Sequence, residues 1–504
     1  MSAEEDCQIS RREWMHRAFG FGAAACAAGC AAPPAGEIKR PNVLFVAVDD
    51  LNDWIGVLGG HPQAKTPNID RLARSGVVFQ RAYCQAPSCN PSRTSVLSGL
   101  RPTTSGVYGN GDLWREALPD AVTLPQYFLQ HGYETLGGGK VFHGPQNDAA
   151  SWERYFNIPG FLHPPQQPAS GIPGVGHFDW SSLDADDSET ADGQVAAWAS
   201  DYLQAEHERP FFCAVGFYRP HLSWYAPKKY FDQFSEDSTI LPPFLEGDVD
   251  DVPPSAVRQF RDHARVTAAG QWKRAVAAYL SCIRFADENV GRLLRALDEG
   301  PNAENTIVVL WTDHGWQLGE KKHWRKFTLW ERVCRVALTI RAPGVTQPGG
   351  TCERVVELVD LYPTLADLCG LPPKPELDGE SLRPLLEDPQ APWDKPAITS
   401  NGSDKTSVRT ERMRYSRFPD GEELYDHDND PNEWENLAER PEHAATKERL
   451  AALLPTEVAL DPVPQWNKLN AEQQNLAPVP AGRFRASDAP NDIGLSSDWR
   501  TLAE

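Results

Sequence analysis

Val43-Leu44-Phe45-Val46-Ala47-Val48 runs directly into Asp49-Asp50. Six apolar residues without polar alternation read as a strand covered on both faces, the pattern of a parallel-sheet interior. Three further runs share this texture: Phe211-Phe212-Cys213-Ala214-Val215, Thr306-Ile307-Val308-Val309-Leu310-Trp311 and Val336-Ala337-Leu338-Thr339-Ile340. Helical patterns lie between them. Thr66-Pro67-Asn68-Ile69-Asp70 reads as a helix cap with proline at the first helical position. Leu124 to Gln130 reads as a helix closed by Gly132. Trp272 to Leu297 places Val276, Tyr279, Leu280, Ile283, Val290, Leu293, Leu294 and Leu297 near one helical face. Strands alternating with helices predict an α/β domain, with a large, mixed, mostly parallel sheet sandwiched by helices.

In such sheets functional groups gather beyond the carboxyl ends of the strands. The first strand ends in Asp49-Asp50, the 306 strand in Asp313-His314, and the 211 strand leads to Arg219-Pro220-His221. Distant parts of the chain thus deliver polar clusters to one edge. Two adjacent buried carboxylates repel each other and call for a cation. Hard oxygen ligands suit Ca²⁺ or Mg²⁺, while His314 would make the donor set mixed. An Asp-Asp pair alone is also what a solvated loop start looks like.

Cys89-Asn90-Pro91-Ser92-Arg93 precedes a segment through Leu100 that can form a helix. Cys89 at the N-terminus of that helix would face exposed N–H groups and the positive end of the dipole, which favour an anion. The same field lowers a thiol pKa, so a plain cysteine nucleophile fits as well, as does an inert cysteine at a helix start. The Cys-x₅-Arg loop of cysteine phosphatases is absent, since Arg93 follows Cys89 after three residues.

The chain has 504 residues, suited to one large domain and a smaller one, and a formal net charge of −21. No basic excess exists to neutralise nucleic-acid phosphates. A few focused cations can still bind a small anion. Seven cysteines follow Cys30, at irregular spacings and with no CxxC, which excludes zinc-ribbon and thioredoxin patterns. Cys334 and Cys352 are a candidate bridge after export.

The N-terminus carries Ser10-Arg11-Arg12-Glu13-Trp14, an Ala/Gly-rich apolar stretch, and Ala27-Ala28-Gly29-Cys30. A twin arginine before a weak apolar segment reads as a Tat export signal, and Cys30 as a lipobox cysteine that could carry a lipid tether. These features predict an exported, periplasmic protein, as a lipoprotein if Cys30 is acylated. No later apolar run reaches the roughly 20 residues needed to span a membrane. The organisation expected is a signal over 1–30, an α/β domain over 38–387, a smaller C-terminal α+β subdomain over 388–460 and an extended tail over 461–504. Within the subdomain, Met413 to Phe418 reads as a short extended segment and about Pro441 to Leu454 as a helix.

Cys89-x-Pro91-Ser92-Arg93, continuing through Thr94 to Gly99, resembles the signature of the sulfatases of the alkaline-phosphatase superfamily. Gly132-Tyr133-Glu134-Thr135-Leu136-Gly137-Gly138-Gly139-Lys140-Val141-Phe142-His143 is similar to that family's second signature. With Arg219-Pro220-His221 and Asp313-His314-Gly315-Trp316-x-Leu318-Gly319-Glu320, the nearest branch resembles iduronate 2-sulfatase. The likeness is close over roughly residues 40–385 and reaches the C-terminal part through Glu423-Leu424-Tyr425-Asp426 and Asp430-Pro431.

The resemblance implies that a formylglycine-generating or anaerobic sulfatase-maturating enzyme oxidises Cys89 to formylglycine (3-oxoalanine). The hydrated aldehyde would attack sulfur, and collapse of the second hydroxyl would expel sulfate. It implies Asp49, Asp50, Asp313 and His314 as ligands of Ca²⁺ (Mg²⁺ as the alternative), with modified Cys89 completing the shell. Arg93 would stabilise the hydrate. Lys140, His221 and Lys326 would hold sulfate oxygens or assist the leaving oxygen, and His143 would help break the hydrate's hemiacetal. The substrate implied is a sulfated carbohydrate. His323, Trp324, Trp114 and Arg115 are candidates for the substrate mouth, with core packing of the tryptophans as the other reading. Two rivals remain: a phosphodiesterase or phosphonate monoester hydrolase on the same fold, and a non-catalytic, metal-stabilised carbohydrate-binding protein.

Overall fold

The run Asn42–Val48 is a strand at the centre of a nine-stranded sheet. In this computed structural model the described residues are 40–460, apart from 159, 175 and 258–260, together with 463 and 465. The export signal, Cys30 and nearly all of the 461–504 tail lie outside them.

Asn42–Val48 pairs in parallel with Thr306–Thr312 on one side and with Phe211–Phe217 on the other. Glu134–Gly139 joins Phe211–Phe217 in parallel, and Arg154–Phe156 extends that edge. On the far side the chain reverses. Leu338–Arg341 runs antiparallel to both Thr306–Thr312 and Val77–Tyr83, and Gly350–Glu357 joins Val77–Tyr83 in parallel. The 336–340 run read from sequence is therefore two short strands, Arg335–Val336 and Leu338–Arg341, broken at Ala337. Ala337 breaks step because its N–H bonds the Thr312 hydroxyl and its carbonyl accepts from the Thr312 N–H.

The apolar runs lack alternation because both faces are buried. Leu44, Val46 and Val48 enter one core with Phe211, Cys213, Val215, Val308 and Leu310; Val43, Phe45 and Ala47 enter the other with Phe212, Ala214, Ile307 and Val309. The helix Trp272–Glu299 lays Val276, Tyr279, Leu280, Ile283, Val290, Leu293, Leu294 and Leu297 on the first core. Full burial of each such aliphatic side chain stabilises by about 1.5–3 kcal/mol relative to exposure.

The helix expected after Thr66 spans Pro67–Ser75, but the Thr66 hydroxyl does not cap it. It accepts from Gly56 N–H and donates to Asp70. Asp287, on the long helix, takes the capping role instead and accepts from the N–H groups of Asn68 and Ile69.

A four-stranded antiparallel sheet follows, built from Ala397–Ser400, Thr406–Arg409, Met413–Phe418 and Gly421–Asp426. The helix behind it is Ala444–Ala451, shorter than the sequence suggests. All seven described cysteines are free and buried, so Cys334 and Cys352 are not bridged. Cys352 stands on Gly350–Glu357, where its buried thiol packs in the second core.

Candidate active site

Four parallel neighbours, Glu134–Gly139, Phe211–Phe217, Asn42–Val48 and Thr306–Thr312, release the chain at the same edge. Lys140 and His143 follow the first, His221 the second, Asp49 and Asp50 the third, Asp313 and His314 the fourth. The helix Cys89–Ser98 points its N-terminus at this edge and begins on Cys89 itself. Asp49, Asp50, Cys89, Arg93, Asp313 and His314 have no exposed surface.

Asp50 sits at φ +57, in the left-handed region that costs a residue with a β-carbon. The surroundings over-determine it. The Tyr279 hydroxyl donates to the Asp50 carbonyl at 2.7 Å and accepts from Asn52 N–H at 3.0 Å. Asp50 N–H donates to Asp313 Oδ1 at 3.2 Å. This backbone turns both carboxylates of the pair toward Cys89.

Cys89 Sγ is the focus of the cluster. It lies 3.6 Å from Asp49 Oδ1, 3.9 Å from Asp50 Oδ1, 3.3 Å from His314 Nε2, 3.6 Å from Lys140 Nζ and 2.9 Å from Lys326 Nζ. Lys140 ion-pairs with Asp49, and Lys326 with Asp50 at 2.7 Å. Arg93 gives its guanidinium to Asp313 Oδ2 at 2.9 Å, to Asp49 Oδ1 at 3.2 Å, and to the carbonyls of Lys140 and Val141. It therefore binds the carboxylates and the end of the Glu134–Gly139 strand into one unit. His221 Nδ1 meets the Leu222 carbonyl at 2.7 Å, which leaves Nε2 facing Asp50 Oδ2 at 3.8 Å.

Burial works against every charge here, and the neighbours decide the outcome. Burial raises the Asp49 pKa, but the fixed charges of Lys140, Arg93 and Lys326 override it and hold it well below the usual carboxylate range. Burial likewise lifts the Cys89 thiol, as does Asp49, yet Lys140 and Lys326 bring it below its ordinary value. His143 and His221 are both pushed well below the usual histidine range, by burial first and then by Lys140 and the neighbouring charges. Both are neutral imidazoles near pH 7.

Asp49, Asp50, Cys89, Asp313, His314 and His221 present ligand atoms in two overlapping sets, within each of which all atoms lie within 4.8 Å of one another. Asp50 Oδ2 is buried without a hydrogen-bond partner among the described residues. An orphaned carboxylate oxygen beside two more carboxylates fits a hard divalent cation. His314 Nδ1 meets the Gly315 carbonyl at 3.0 Å, which leaves Nε2 available as a ligand.

A family model described as Sulfatase matches residues 41–371, and a second, N-sulphoglucosamine sulphohydrolase, C-terminal, matches 319–458. The chain belongs to the sulfatase family. A sulfatase of Formosa agariphila is 37% identical over 443 residues, covering 83% of this chain and 87% of that one. Iduronate 2-sulfatase of Homo sapiens is 31% identical, covering 70% and 76%. A solved 2-O GAG sulfatase superposes with a TM-score of 0.67 at 25% identity, covering 82% of this chain and 91% of its own. This sulfatase is a sulfuric ester hydrolase, and its family implies a formylglycine nucleophile and a divalent metal.

The structure of the sulfatase gathers Asp49, Asp50, Cys89, Arg93, Lys140, His221, Asp313, His314 and Lys326 in one cluster; His143 lies in the same field, buried, with Nδ1 unpartnered among the described residues. The tryptophans considered for the mouth are core. Trp324 is fully buried among Phe178, Trp224 and Trp272, and Trp114 stacks on Phe142. Arg115 pairs with Asp148, and His323 holds the carbonyl of Lys326. Tyr279, which fixes Asp50, had no signal of its own, because it sits on the core face of its helix like any buried aromatic. Asn90 is also structural, with its amide on the carbonyls of Gly109 and Asp112.

Proposed function

We propose that this sulfatase removes sulfate from a uronic-acid-containing sulfated carbohydrate, using Cys89 matured to formylglycine and Ca²⁺ held by Asp49, Asp50, Asp313 and His314. The observation that carries the reading is the convergence of three carboxylates, an imidazole and two lysines on the atom of Cys89 that maturation would replace. Similarity to an iduronate 2-sulfatase, a delta 4,5-hexuronate-2-O-sulfatase and a 2-O GAG sulfatase supports the substrate class.

Hydrated formylglycine supplies the attacking oxygen and a second hydroxyl for releasing sulfate, and the cation supplies charge for the sulfuryl oxygens. The chain's own residues do the rest. Lys140 and Lys326 add two fixed ammonium groups, which stabilise charge developing on the sulfuryl group without reorganisation. Lys326 donates a proton to the departing oxygen. His221, pushed toward the neutral form with Nδ1 donating to the Leu222 carbonyl, faces the site with an unprotonated Nε2, so the donor role falls to Lys326 alone. His143, kept neutral by burial and by Lys140, accepts a proton. Arg93 holds Asp49 and Asp313 in register for the cation.

Ser10-Arg11-Arg12 and Ala27-Ala28-Gly29-Cys30 support Tat export to the periplasm, with a lipid tether at Cys30. Tat substrates cross folded, so maturation of Cys89 by a formylglycine-generating or anaerobic maturating enzyme precedes export.

The test compares 4-nitrophenyl sulfate with bis(4-nitrophenyl) phosphate, then a panel of 2-O- and 6-O-sulfated disaccharides. Preference for sulfate and for 2-O-sulfated uronate is expected. Dominance of the phosphodiester would refute the sulfate reading, and indifference to uronate would refute the substrate class.

A further inference from the structure

Lys326 is carried by a loop that cannot hold its own shape. Gly319 has φ +119, and four residues with β-carbons share the left-handed region: Lys321 at +52, Lys322 at +54, Arg325 at +80 and Phe327 at +77. Backbone in such a state persists only when its surroundings over-determine it. A two-residue pairing of Gln317–Leu318 with Trp324–Arg325 closes the loop, and Gly319 N–H donates to the His323 carbonyl at 2.8 Å.

The two peptide groups that follow Lys326 are held at three points. The His323 ring meets the Lys326 carbonyl at 3.0 Å. Phe327 N–H donates to the Pro87 carbonyl at 3.0 Å, tying the loop to the approach to Cys89. Asn401 Nδ2 donates to the Phe327 carbonyl at 2.7 Å. The first two anchors belong to the catalytic part of the chain. Asn401 does not; it lies in the turn between Ala397–Ser400 and Thr406–Arg409 of the C-terminal sheet.

The far end of the loop is tied to the same part of the molecule. Lys321 Nζ, buried, donates to Asp248 Oδ1 at 2.6 Å and to the carbonyl of Glu433, itself at φ +59. Glu433 in turn accepts from Glu331 N–H at 2.8 Å. Two residues beyond the α/β domain thus grip the loop, one beside Lys326 and one at its base.

We propose that Asn401 is a positioning residue for Lys326, so that the C-terminal sheet sets the geometry of the group serving the leaving oxygen. This rests on the role given to Lys326 above. Asn401 touches neither Cys89 nor the acidic cluster among its hydrogen bonds, and its own backbone N–H is satisfied by the Lys405 carbonyl at 2.9 Å. Removing its amide therefore takes away its bond to the Phe327 carbonyl and leaves the backbone hydrogen bond of the turn in place.

The experiment uses the matured, metal-loaded full chain, with Asn401→Ala and Lys326→Ala. Asp404→Ala, at an exposed position in the same turn, is the control. Two aryl sulfates serve as probes, 4-nitrophenyl sulfate with a good leaving group and phenyl sulfate with a poor one. A misplaced proton donor matters most when the leaving group is poor, so Asn401→Ala is expected to lose about tenfold in kcat on phenyl sulfate and under about threefold on 4-nitrophenyl sulfate. Amide hydrogen exchange of the 319–327 segment, read on the metal-free chain as well, is expected to rise in Asn401→Ala and not in Asp404→Ala. Equal losses on both probes, or unchanged exchange, would overturn the proposal. If Lys326→Ala itself loses equally on both probes, the role of Lys326 fails first, while raised exchange in Asn401→Ala would still report the grip on the loop. A drop in Tm for Asn401→Ala no larger than that for Asp404→Ala separates positioning from unfolding.

Discussion

Lys326 Nζ stands 2.9 Å from Cys89 Sγ although the two residues are 237 positions apart. Lys140 reaches the same sulfur from the end of the Glu134–Gly139 strand, at 3.6 Å. Two buried ammonium groups on one side chain are tolerable only because Asp49 and Asp50 pair with them. The arrangement is built for an anion at position 89. Lys140→Ala is expected to lower kcat on 4-methylumbelliferyl sulfate or a sulfated disaccharide by about 10²–10³-fold. Loss of less than threefold for Lys140→Ala, in a variant that still melts cooperatively, would remove it from charge stabilisation.

Cation binding should couple to folding. Three carboxylates sit together with Asp50 Oδ2 unpartnered among the described residues, so a divalent ion that binds only the folded chain stabilises it by about 2.7 kcal/mol at a hundredfold excess over its Kd. Chelation is expected to lower Tm, and Ca²⁺ to restore it in a concentration-dependent way. Asp313→Asn should lose that response in calorimetry while keeping its far-UV circular dichroism. A Tm indifferent to chelator and to added Ca²⁺ or Mg²⁺ would contradict the metal site.

Gly216 lies directly under Lys140. A β-carbon there would stand 2.0 Å from the Lys140 carbonyl oxygen and 2.1 Å from its carbon. These are backbone atoms bonded to Arg93 and to Gly216 itself, so they cannot yield without moving Lys140. Gly216→Ala is expected to cost about 1–3 kcal/mol of stability and to lower kcat well below the melting range. Wild-type kcat at an unchanged Tm would show that the strand end tolerates the shift.

An acid limb of stability should trace to Glu331. Burial would raise its pKa, but Arg409, His427, Arg414 and Arg335 together hold it well below the usual value. It accepts from the Tyr83 hydroxyl at 2.8 Å and pairs with Arg409 and Arg414. A carboxylate whose pKa is depressed by folding contributes stability that is full above its unfolded value near 4.5 and is lost as pH falls toward the folded value. Urea melts at pH 7 and in the acid range should show this loss in the wild type and a flatter profile in Glu331→Gln. Parallel profiles for the two proteins would assign the acid limb elsewhere.

Much of this was legible in the chain. The unbroken apolar runs announced strands buried on both faces, and their polar ends marked the edge where Asp49, Asp50, Asp313 and His314 meet. Cys89 at a helix start was readable from the proline two residues on. Direction was less legible: Leu338–Arg341 looks like the other runs, and only its pairing with Thr306–Thr312 reveals that it is reversed. Long-range hydrogen bonds left no local trace. Asp287 caps a helix 219 residues away, and Tyr279 fixes Asp50 from the face of a helix that reads simply as core. Trp324 was ambiguous because an aromatic beside a basic run suits a sugar or a core equally; packing against Phe178, Trp224 and Trp272 decides for the core. Positive φ at Lys321, Lys322, Arg325 and Phe327 carries no residue signal either, since glycine is absent from those positions.

The central claim concerns the atom at position 89. Mass spectrometry of the peptide carrying that residue, from protein matured in a host that supplies the modifying enzyme, tests it most directly. The expected peptide lacks one sulfur and two hydrogens and gains one oxygen relative to the encoded cysteine, and it reacts with an aldehyde probe. An unmodified Cys89 throughout a preparation that hydrolyses sulfate esters at full rate would contradict the account.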